Sequence, residues 1–340
     1  MNGYQRIAAV LRGEWPDRRP VMLHNFMVAA REAGVPMRQY RTDPEAIARC
    51  LIAAVEKYDL DGILVDIDTA TLAGAAGVPV DFPDDEPAVC HGCAIDSLAE
   101  VDRLEPVDIR RYPAVQVWLE SVRLLKRHFG DEVYVRGNCD QAAFSLAAMI
   151  RGLEGWLMDL TDAENHERAH RLLDYAAGIT TQFIELMAST GAHMVSNGDS
   201  SGGTSLISPQ MHREFAHPYE RRIADRAHAL GVPWALHVCG NAGRILCDLA
   251  ATGADAVELD YKTDIRLAHD VLKDRAVFIG NIDPTGVVAR GTPAEVEAKT
   301  RELVAVFSDT PRLIVNAGCA LAADTPAENM RAMVRAAREA

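Results

Sequence analysis

The segment P-W-A-L-H-V-C-G, residues 233–240, places a histidine and a cysteine two positions apart at the end of a predicted strand. Alternate side chains of a strand lie on one face, so His237 and Cys239 point the same way. An imidazole and a thiolate at this spacing can supply two ligands of a tetrahedral zinc ion. Two ligands do not make a site, and Cys319, in the apolar run L-I-V-N-A-G-C, is the best candidate for a third.

Apolar strand-like runs alternate with amphipathic helical stretches along almost the whole chain. Eight such repeats predict a parallel (β/α)8 TIM barrel in one catalytic domain, residues 1–340. The predicted strands are 19–24, 62–68, 133–138, 193–199, 234–239, 256–260, 277–281 and 313–316. The predicted helices are 44–58, 117–129, 144–160, 165–190, 209–230, 242–251, 265–272, 293–307 and 326–339. Residues 73–107, rich in Gly, Pro and Asp, form an irregular excursion from the repeat.

The predicted strands end in polar residues almost every time, among them His24, Asn138, Asp199 and Asp260. Any single Asp or Asn is explained by turn formation. The set as a whole favours a polar barrel mouth that binds a ligand, because functional residues of such barrels lie at the carboxyl ends of the strands.

Three protein ligands with one open position is the pattern of catalytic zinc. The alternative is that the cysteines are small buried hydrophobic residues and that His237 is a hydrogen-bonded core histidine. We favour zinc held by His237, Cys239 and Cys319, since strand ends that are distant in sequence converge at one mouth. Asp260, at the end of the next strand, is a candidate fourth, labile ligand, and Glu258 shares its face but lies deeper.

The other cysteines are weaker candidates. Cys90 and Cys93 have a C-x-x-C spacing without a second pair, which disfavours a second zinc or redox site. Cys50 and Cys247 lie in predicted helices and are expected in the core, and Cys139 is expected to line the mouth.

Composition excludes several classes of protein. The 340 residues carry a net charge of −14, which argues against binding to nucleic acid or to an anionic membrane surface. The sequence contains no apolar run near the roughly 18 residues that span a bilayer, and its first residues lack the apolar region of a signal peptide. Seven cysteines, an odd number in a long chain, indicate a reducing cytoplasm rather than a disulfide framework.

Several segments resemble hallmarks of the uroporphyrinogen decarboxylase superfamily. They are L-H-V-C-G at 236–240, F-I-G-N-I-D-P at 278–284, S-P-Q-M-H-R-E-F-A-H-P-Y at 208–219 and F-S-L-A at 144–147. The resemblance runs from about Tyr4 to Arg335 and implies the same barrel fold. True decarboxylases of this superfamily carry an Arg-rich R-Q-A-G-R motif, where this chain has H-N-F-M-V-A-A-R-E-A-G at 24–34.

The resemblance is closer to the branch of zinc-dependent, corrinoid-linked methyltransferases, which includes the methylcobamide:coenzyme M enzymes. Their His-x-Cys and distant Cys zinc ligands match His237, Cys239 and Cys319. Residues 254–260 are also similar to a strand of cobalamin-independent methionine synthase that carries an acidic zinc ligand where Asp260 falls, although that acid is a Glu.

The resemblance implies a zinc-bound thiol substrate whose sulfur exchanges a methyl group with a corrinoid (methylcobamide), because zinc keeps a thiolate nucleophilic at neutral pH. Asp199, Asn138 and His24 are expected to line the substrate pocket, with one carboxylate relaying the thiol proton. The Asp-x-His-x-x-Gly corrinoid motif is not found, so a separate corrinoid protein is the expected partner.

Two other functions stay open at this point. One is a metal-free decarboxylase of a small acidic or tetrapyrrole-like substrate, for which Arg31 and Arg38 are the local candidates. The other is a corrinoid- or tetrapyrrole-binding protein without turnover. The methyl donor and acceptor, the direction of transfer and the choice between monomer and homodimer also stay open.

Overall fold

A computed structural model describes residues 1–339. Eight parallel strands form one sheet in chain order. They are β1 (Met22–Leu23), β2 (Gly62–Val65), β3 (Tyr134–Gln141), β4 (Met194–Gly198), β5 (Trp234–Val238), β6 (Ala256–Leu259), β7 (Val277–Ile282) and β8 (Leu313–Ala317). A parallel bridge between Val21 and Val315 brings the first and last strands together. The predicted (β/α)8 barrel is confirmed.

Helices surround the barrel and cover its outer face, as the apolar faces of the predicted helices require. The α-helices are Gly3–Leu11, Phe26–Glu32, Met37–Tyr40, Pro44–Tyr58, Thr71–Ala75, Pro113–Phe129, Ala143–Arg151, Leu153–Asp159, His166–Ala188, Pro209–Met211, His217–Ala229, Leu246–Ala251, Ile265–Leu272, Pro293–Val306 and Ala327–Glu339. Short 3-10 turns lie at Leu98–Arg103, Ile109–Arg111, Ala163–Asn165 and Ser200–Gly202, and π-helical turns at His212–Ala216 and Pro284–Ala289. Within residues 1–339 no helix is both long enough and apolar enough to cross a membrane.

The amino-terminal end of the barrel is filled with apolar side chains. Ile7 and Val10 of the first helix pack there against one inward-facing set of strand residues, which are Met22, Tyr134, Met194, Ala235, Ala256, Val277, Ile279 and Ile314. Inward-facing polar residues are therefore left to the opposite, carboxyl end, where the site lies.

Two predicted helices are interrupted in the structure. The single helix expected over 144–160 is two helices, because the backbone at Gly152 has φ +81°, which a continuous helix cannot contain. The helix expected over 209–230 is interrupted by the π-helical turn His212–Ala216.

The excursion carries little regular structure, as expected. It contains a two-residue antiparallel pair, Val80–Asp81 with Val89–Cys90, followed by the 3-10 turn Leu98–Arg103. The loop between the paired strands reaches over the carboxyl end of the barrel, where Asp85, Glu86 and Pro87 form part of a cavity wall.

Candidate metal centre

The three residues proposed as zinc ligands meet at the carboxyl end of the barrel. His237 is in β5, Cys239 follows that strand directly, and Cys319 is two residues beyond β8. The Nε2 atom of His237 lies 3.0 Å from Sγ of Cys239. One nitrogen and two sulfur atoms of the trio all lie within 4.8 Å of one another, a spacing that a single metal ion can bridge.

Two glycines allow these cysteines to approach. Gly240 has φ +75°, which ends β5 and turns the chain immediately after Cys239. A Cβ atom at Gly318 would lie 2.5 Å from the backbone nitrogen of Tyr261, so only glycine lets the loop before Cys319 pass the end of β6. Both positions fix the cysteines through the backbone rather than through side-chain contacts.

His237, Cys239 and Cys319 influence one another's protonation. A hydrogen bond from the Cys319 thiol lowers the pKa of Cys239 to about 3, and the nearby His237 ring acts in the same direction. That contact raises the pKa of Cys319. Burial acts to lower the pKa of His237, but the Cys239 thiolate raises it well above its ordinary value. A thiolate that is already favoured, beside an imidazole nitrogen, is the donor set that suits zinc.

A buried carboxylate lies behind the histidine. Oε2 of Glu258 lies 3.5 Å from Nδ1 of His237 and accepts a 2.8 Å hydrogen bond from Arg136, while Oε1 accepts a 2.7 Å hydrogen bond from Asn316. Burial acts to raise the pKa of Glu258, but Arg136 holds it well below its ordinary value. A carboxylate is a usual partner of the ring nitrogen that does not bind zinc. Because Glu258 faces Nδ1 of His237, Nε2 is left to bind the metal.

His24 and Asn138 are joined through Asp66 across β1, β2 and β3. Nε2 of His24 lies 2.6 Å from one carboxylate oxygen of Asp66, and the amide of Asn138 donates to the other at 3.1 Å. All three residues line the same cavity as His237, Cys239 and Cys319. The structure therefore brings two of the predicted pocket residues, His24 and Asn138, to the site.

Asp199, expected to line the substrate pocket, and Asp260, the candidate fourth metal ligand, both lie outside that cavity. One oxygen of Asp199 accepts a 2.7 Å hydrogen bond from the backbone of Ser145, and burial raises the pKa of Asp199 to about 6. Asp260 accepts hydrogen bonds from the backbone of Gly240 at 3.0 Å and of Lys262 at 2.9 Å. Asp199 thus binds the first turn of the helix Ala143–Arg151, and Asp260 binds the loops that follow β5 and β6.

Two other cysteine predictions need correction. Cys139 is buried and is not in the cavity lining, because in β3 its side chain lies on the face opposite to Asn138 and Asp140. Cys247, expected in the core, is exposed near the start of the short helix Leu246–Ala251. Cys50 is buried as expected.

The cavity has a volume of about 250 Å³ and both polar and apolar walls. Its apolar part includes Phe26, Met27, Met37, Leu64, Ile67, Pro87 and Ala323. Arg41 also faces it and donates hydrogen bonds to the backbone carbonyls of Pro83 and Glu86, which ties the excursion loop to the barrel. A small molecule in this space would contact the metal ligands and the His24 network together.

Arg136 was missed by the sequence interpretation. It lies inside an apolar strand and is only 2% exposed. Its charge could have identified it, because a guanidinium in a predicted buried strand requires a buried partner. Glu258, two residues before the end of the predicted strand 256–260, is that partner.

Comparison with known proteins agrees with this geometry. The family model described as Uroporphyrinogen decarboxylase (URO-D) matches residues 2–340. The chain belongs to the uroporphyrinogen decarboxylase family. The resemblance of the sequence segments to this superfamily is thereby confirmed.

Similar proteins within the family are named either as methyltransferases or as uroporphyrinogen decarboxylases. The methylcobamide:CoM methyltransferase MtbA of Methanosarcina mazei is 28% identical over 98% of this chain and 97% of its own length. A methylated-thiol–coenzyme M methyltransferase of the same organism is 29% identical, covering 98% of this chain and 88% of its own. A uroporphyrinogen decarboxylase of Alkalilimnicola ehrlichii is 27% identical over 98% of this chain and 93% of its own length.

Solved structures confirm the fold. A methyltransferase from Methanosarcina mazei superposes with a TM-score of 0.89 at 21% identity, over 99% of this chain and 98% of its own. A vitamin-B12 independent methionine synthase from Listeria monocytogenes gives a TM-score of 0.54 at 15% identity, over 96% of both chains.

Proposed function

We propose that this chain is a zinc-dependent methyltransferase that moves a methyl group between a corrinoid on a separate protein and a small thiol. The observation that carries the proposal is the meeting of His237, Cys239 and Cys319 in a cavity that also contains His24 and Asn138. The relatives named as methylcobamide:CoM methyltransferases support the methyl transfer. The barrel is proposed to act as a single catalytic domain.

The proposed zinc ion supplies one kind of chemistry: it holds the substrate sulfur as a thiolate at neutral pH. Each protein group has its own task. His237, Cys239 and Cys319 would hold the metal at the wall of the cavity. Glu258 orients His237, and the buried Arg136 keeps Glu258 ionised.

In the proposed transfer a carbon–sulfur bond forms while the bond between the methyl carbon and cobalt breaks, and its electron pair stays with cobalt. The thiol proton passes to solvent by way of His24, whose ring is hydrogen-bonded to Asp66. Asn138 fixes that carboxylate from the other side. The apolar wall formed by Phe26 and Met27 limits the water around the sulfur.

The first experiment measures zinc in protein purified without a chelator or a metal-affinity tag. We expect about one zinc per chain in the wild type, a sharp loss in Cys319→Ser, and full content in Cys247→Ser, a matched cysteine exposed on a helix away from the site. Methyl transfer from methylcobalamin to thiols should follow the zinc content. Wild-type protein that stays free of zinc after anaerobic reconstitution would overturn the proposal.

A metal-free decarboxylase is the second candidate, favoured by the relatives of that name. Binding an acidic substrate requires cationic groups that are free to contact it. Two guanidinium groups line the cavity: Arg41 is bound to backbone carbonyls, and Arg136 is bound to Glu258 through Nη2, with Nε and Nη1 left without a partner. Arg31 and Arg38 are exposed and do not line it. Release of CO2 from a carboxylated substrate by chelator-treated protein would favour this function instead.

A further inference from the structure

The cavity wall contains more acidic than basic side chains. The acidic residues that line the cavity are Asp66, Asp68, Asp85, Glu86, Asp140 and Glu258. His24 contacts Asp66, Arg136 binds Glu258 through Nη2 while its Nε and Nη1 have no hydrogen-bond partner, and His237 belongs to the metal centre. The terminal nitrogens of Arg41 donate hydrogen bonds to two backbone carbonyls.

Asp68 and Asp140 form no ion pair with any residue in the described range, although they are only 6% and 2% exposed. Asp68 is fully used locally, because it accepts 2.8 Å hydrogen bonds from the backbone of Ala70 and of Thr71. The Asp68 carboxylate is therefore held in a fixed position in the cavity wall.

Asp140 is different, because only one of its oxygens is used. Oδ2 accepts a 2.7 Å hydrogen bond from the backbone of Leu72, whereas Oδ1 is buried without a partner. The residue has φ +57°, in the left-handed region that Asp and Asn adopt more readily than other residues with a side chain. A buried carboxylate oxygen without a partner, on a residue that lines a cavity, indicates a ligand-binding contact.

We propose that the substrate of this site carries a basic nitrogen, an ammonium or amine group, that binds Oδ1 of Asp140 beside Asp68 while its sulfur reaches the metal. This inference rests on the proposed thiol methyltransferase function and adds the class of its substrate. The same wall disfavours thiols with an anionic end group, since a second negative charge next to buried carboxylates is repelled at low dielectric.

The electrostatics of the empty site agree with this assignment. Burial raises the pKa of Asp140 well above the ordinary carboxyl value, and the neighbouring Asp68 carboxylate raises it further. Burial likewise raises the pKa of Asp68. A cation that reaches Oδ1 supplies the positive charge that this pair of carboxyl groups lacks.

Three thiols of matched length test the inference directly: 2-aminoethanethiol, 2-mercaptoethanol and 2-mercaptoethanesulfonate. Their dissociation constants are measured by calorimetry on the zinc-loaded protein, with the cobalt(II)-substituted protein reporting sulfur–metal contact by its absorption spectrum. We expect the ammonium thiol to bind about tenfold more tightly than the hydroxyl thiol, the effect of one charge-assisted hydrogen bond, and the sulfonate to bind most weakly.

Asp140→Asn is the diagnostic variant, and Asp84→Asn, an exposed acid on the excursion loop outside the cavity lining, is its matched control. In Asp140→Asn the ammonium and hydroxyl thiols should bind within about threefold of each other. Asp84→Asn should keep the wild-type preference.

The outcomes separate the two proposals. A sulfonate thiol that binds wild-type protein as tightly as the ammonium thiol overturns the inference, even if Asp140→Asn does not fold. An unchanged preference in a folded Asp140→Asn variant also overturns it. Thiols that bind in the expected order but leave the cobalt spectrum unaltered contradict the proposed metal–sulfur chemistry and not the recognition of the nitrogen. No binding of any of the three contradicts both.

Discussion

His237 and Glu258 are direct neighbours in the parallel register of β5 and β6, and Nδ1 of the histidine lies 3.5 Å from Oε2 of the carboxylate. The pairing couples the proposed metal ligand to the buried ion pair of Glu258 with Arg136. The orientation of the ligand is thus set by the register of two adjacent strands and by one charge inside the barrel.

The first prediction concerns this carboxylate. Glu258→Gln keeps the size of the side chain but removes the charge that orients His237, so we expect zinc affinity to fall about 10- to 100-fold. Arg136 loses its partner, which should lower the free energy of unfolding by about 3 kcal/mol. Competition with a chelator measures the first quantity and urea denaturation the second.

Asp260→Asn is the matched control, since Asp260 follows the same strand and binds only backbone groups of nearby loops. Its zinc affinity should equal that of the wild type. A loss as large as that of Glu258→Gln would instead restore Asp260 as a metal ligand, the role that the sequence suggested.

A second prediction concerns Gly318. An added Cβ would lie 2.5 Å from the backbone nitrogen of Tyr261 and 3.1 Å from Cα of Asp260, and backbone cannot rotate away. Gly318→Ala should cost about 1–3 kcal/mol of stability and displace Cys319, so that zinc content falls as well. Gly178→Ala, in the helix His166–Ala188 with open space at its Cβ, should raise stability by about 0.5–1 kcal/mol. Equal effects of the two substitutions would contradict this account.

The buried carboxyl group of Asp199 predicts a pH effect on stability. Its pKa is raised to about 6, so between about pH 4 and pH 6 the folded state holds a proton that the unfolded state has lost. Stability therefore falls as pH rises through this window. Asp199→Asn should remove up to about 3 kcal/mol of this loss. The free energy of unfolding of the variant, minus that of the wild type, should therefore increase from pH 4 to pH 7.

Urea denaturation at several pH values measures that difference, with the exposed Asp225→Asn as control. Parallel pH curves for Asp199→Asn and wild type would contradict the prediction. Turnover provides a separate readout: a large loss of kcat in a stable Asp199→Asn protein would give Asp199 the catalytic role that its sequence position suggested.

A further pH effect is expected for ligand binding. The thioethers 2-(methylthio)ethylamine and 2-(methylthio)ethanol carry no titrating thiol. The ammonium ligand favours ionised Asp140, whose pKa is raised in the empty site, so its affinity relative to the alcohol should increase as pH rises from 5 to 8. Other titrating or charged groups near Asp140 and Asp68 are Asp66, Cys90, Tyr112 and Arg41. In Asp140→Asn the ratio should stay flat, and a persisting slope would assign the effect to one of these neighbours.

Elements with strong local signals could be located from the sequence alone. The helix Pro44–Tyr58 has the predicted bounds, because Asp43 caps it, Pro44 starts it and Asp59 ends it with φ +53°. Ile265–Leu272 was predicted with the same bounds and is capped by Asp264. The interruption at His212–Ala216 could not be predicted, since these residues include no glycine or proline that would indicate a break in a helix.

The site was predictable where residue type and strand alternation were decisive. His237, Cys239 and Cys319 have few alternatives as soft ligands, and a closed barrel brings strand ends together. Alternation could not exclude Asp199 and Asp260: each follows the last residue of its strand, as Cys239 does, but binds backbone groups instead of lining the cavity. Nothing in the pattern of the sequence separates a carboxylate in the cavity from one that binds a backbone amide just outside it.

The attachment of the excursion loop by Arg41 has a consequence for how the cavity can change. The guanidinium holds the carbonyls of Pro83 and Glu86, which every amino acid possesses, so the path of the loop does not depend on its side chains. Substitutions at Asp85 or Ala88 can therefore alter the wall that a substrate meets while the loop and the distant cysteines keep their positions. Substitutions in the loop can therefore change the substrate preference without changing the residues that bind the metal.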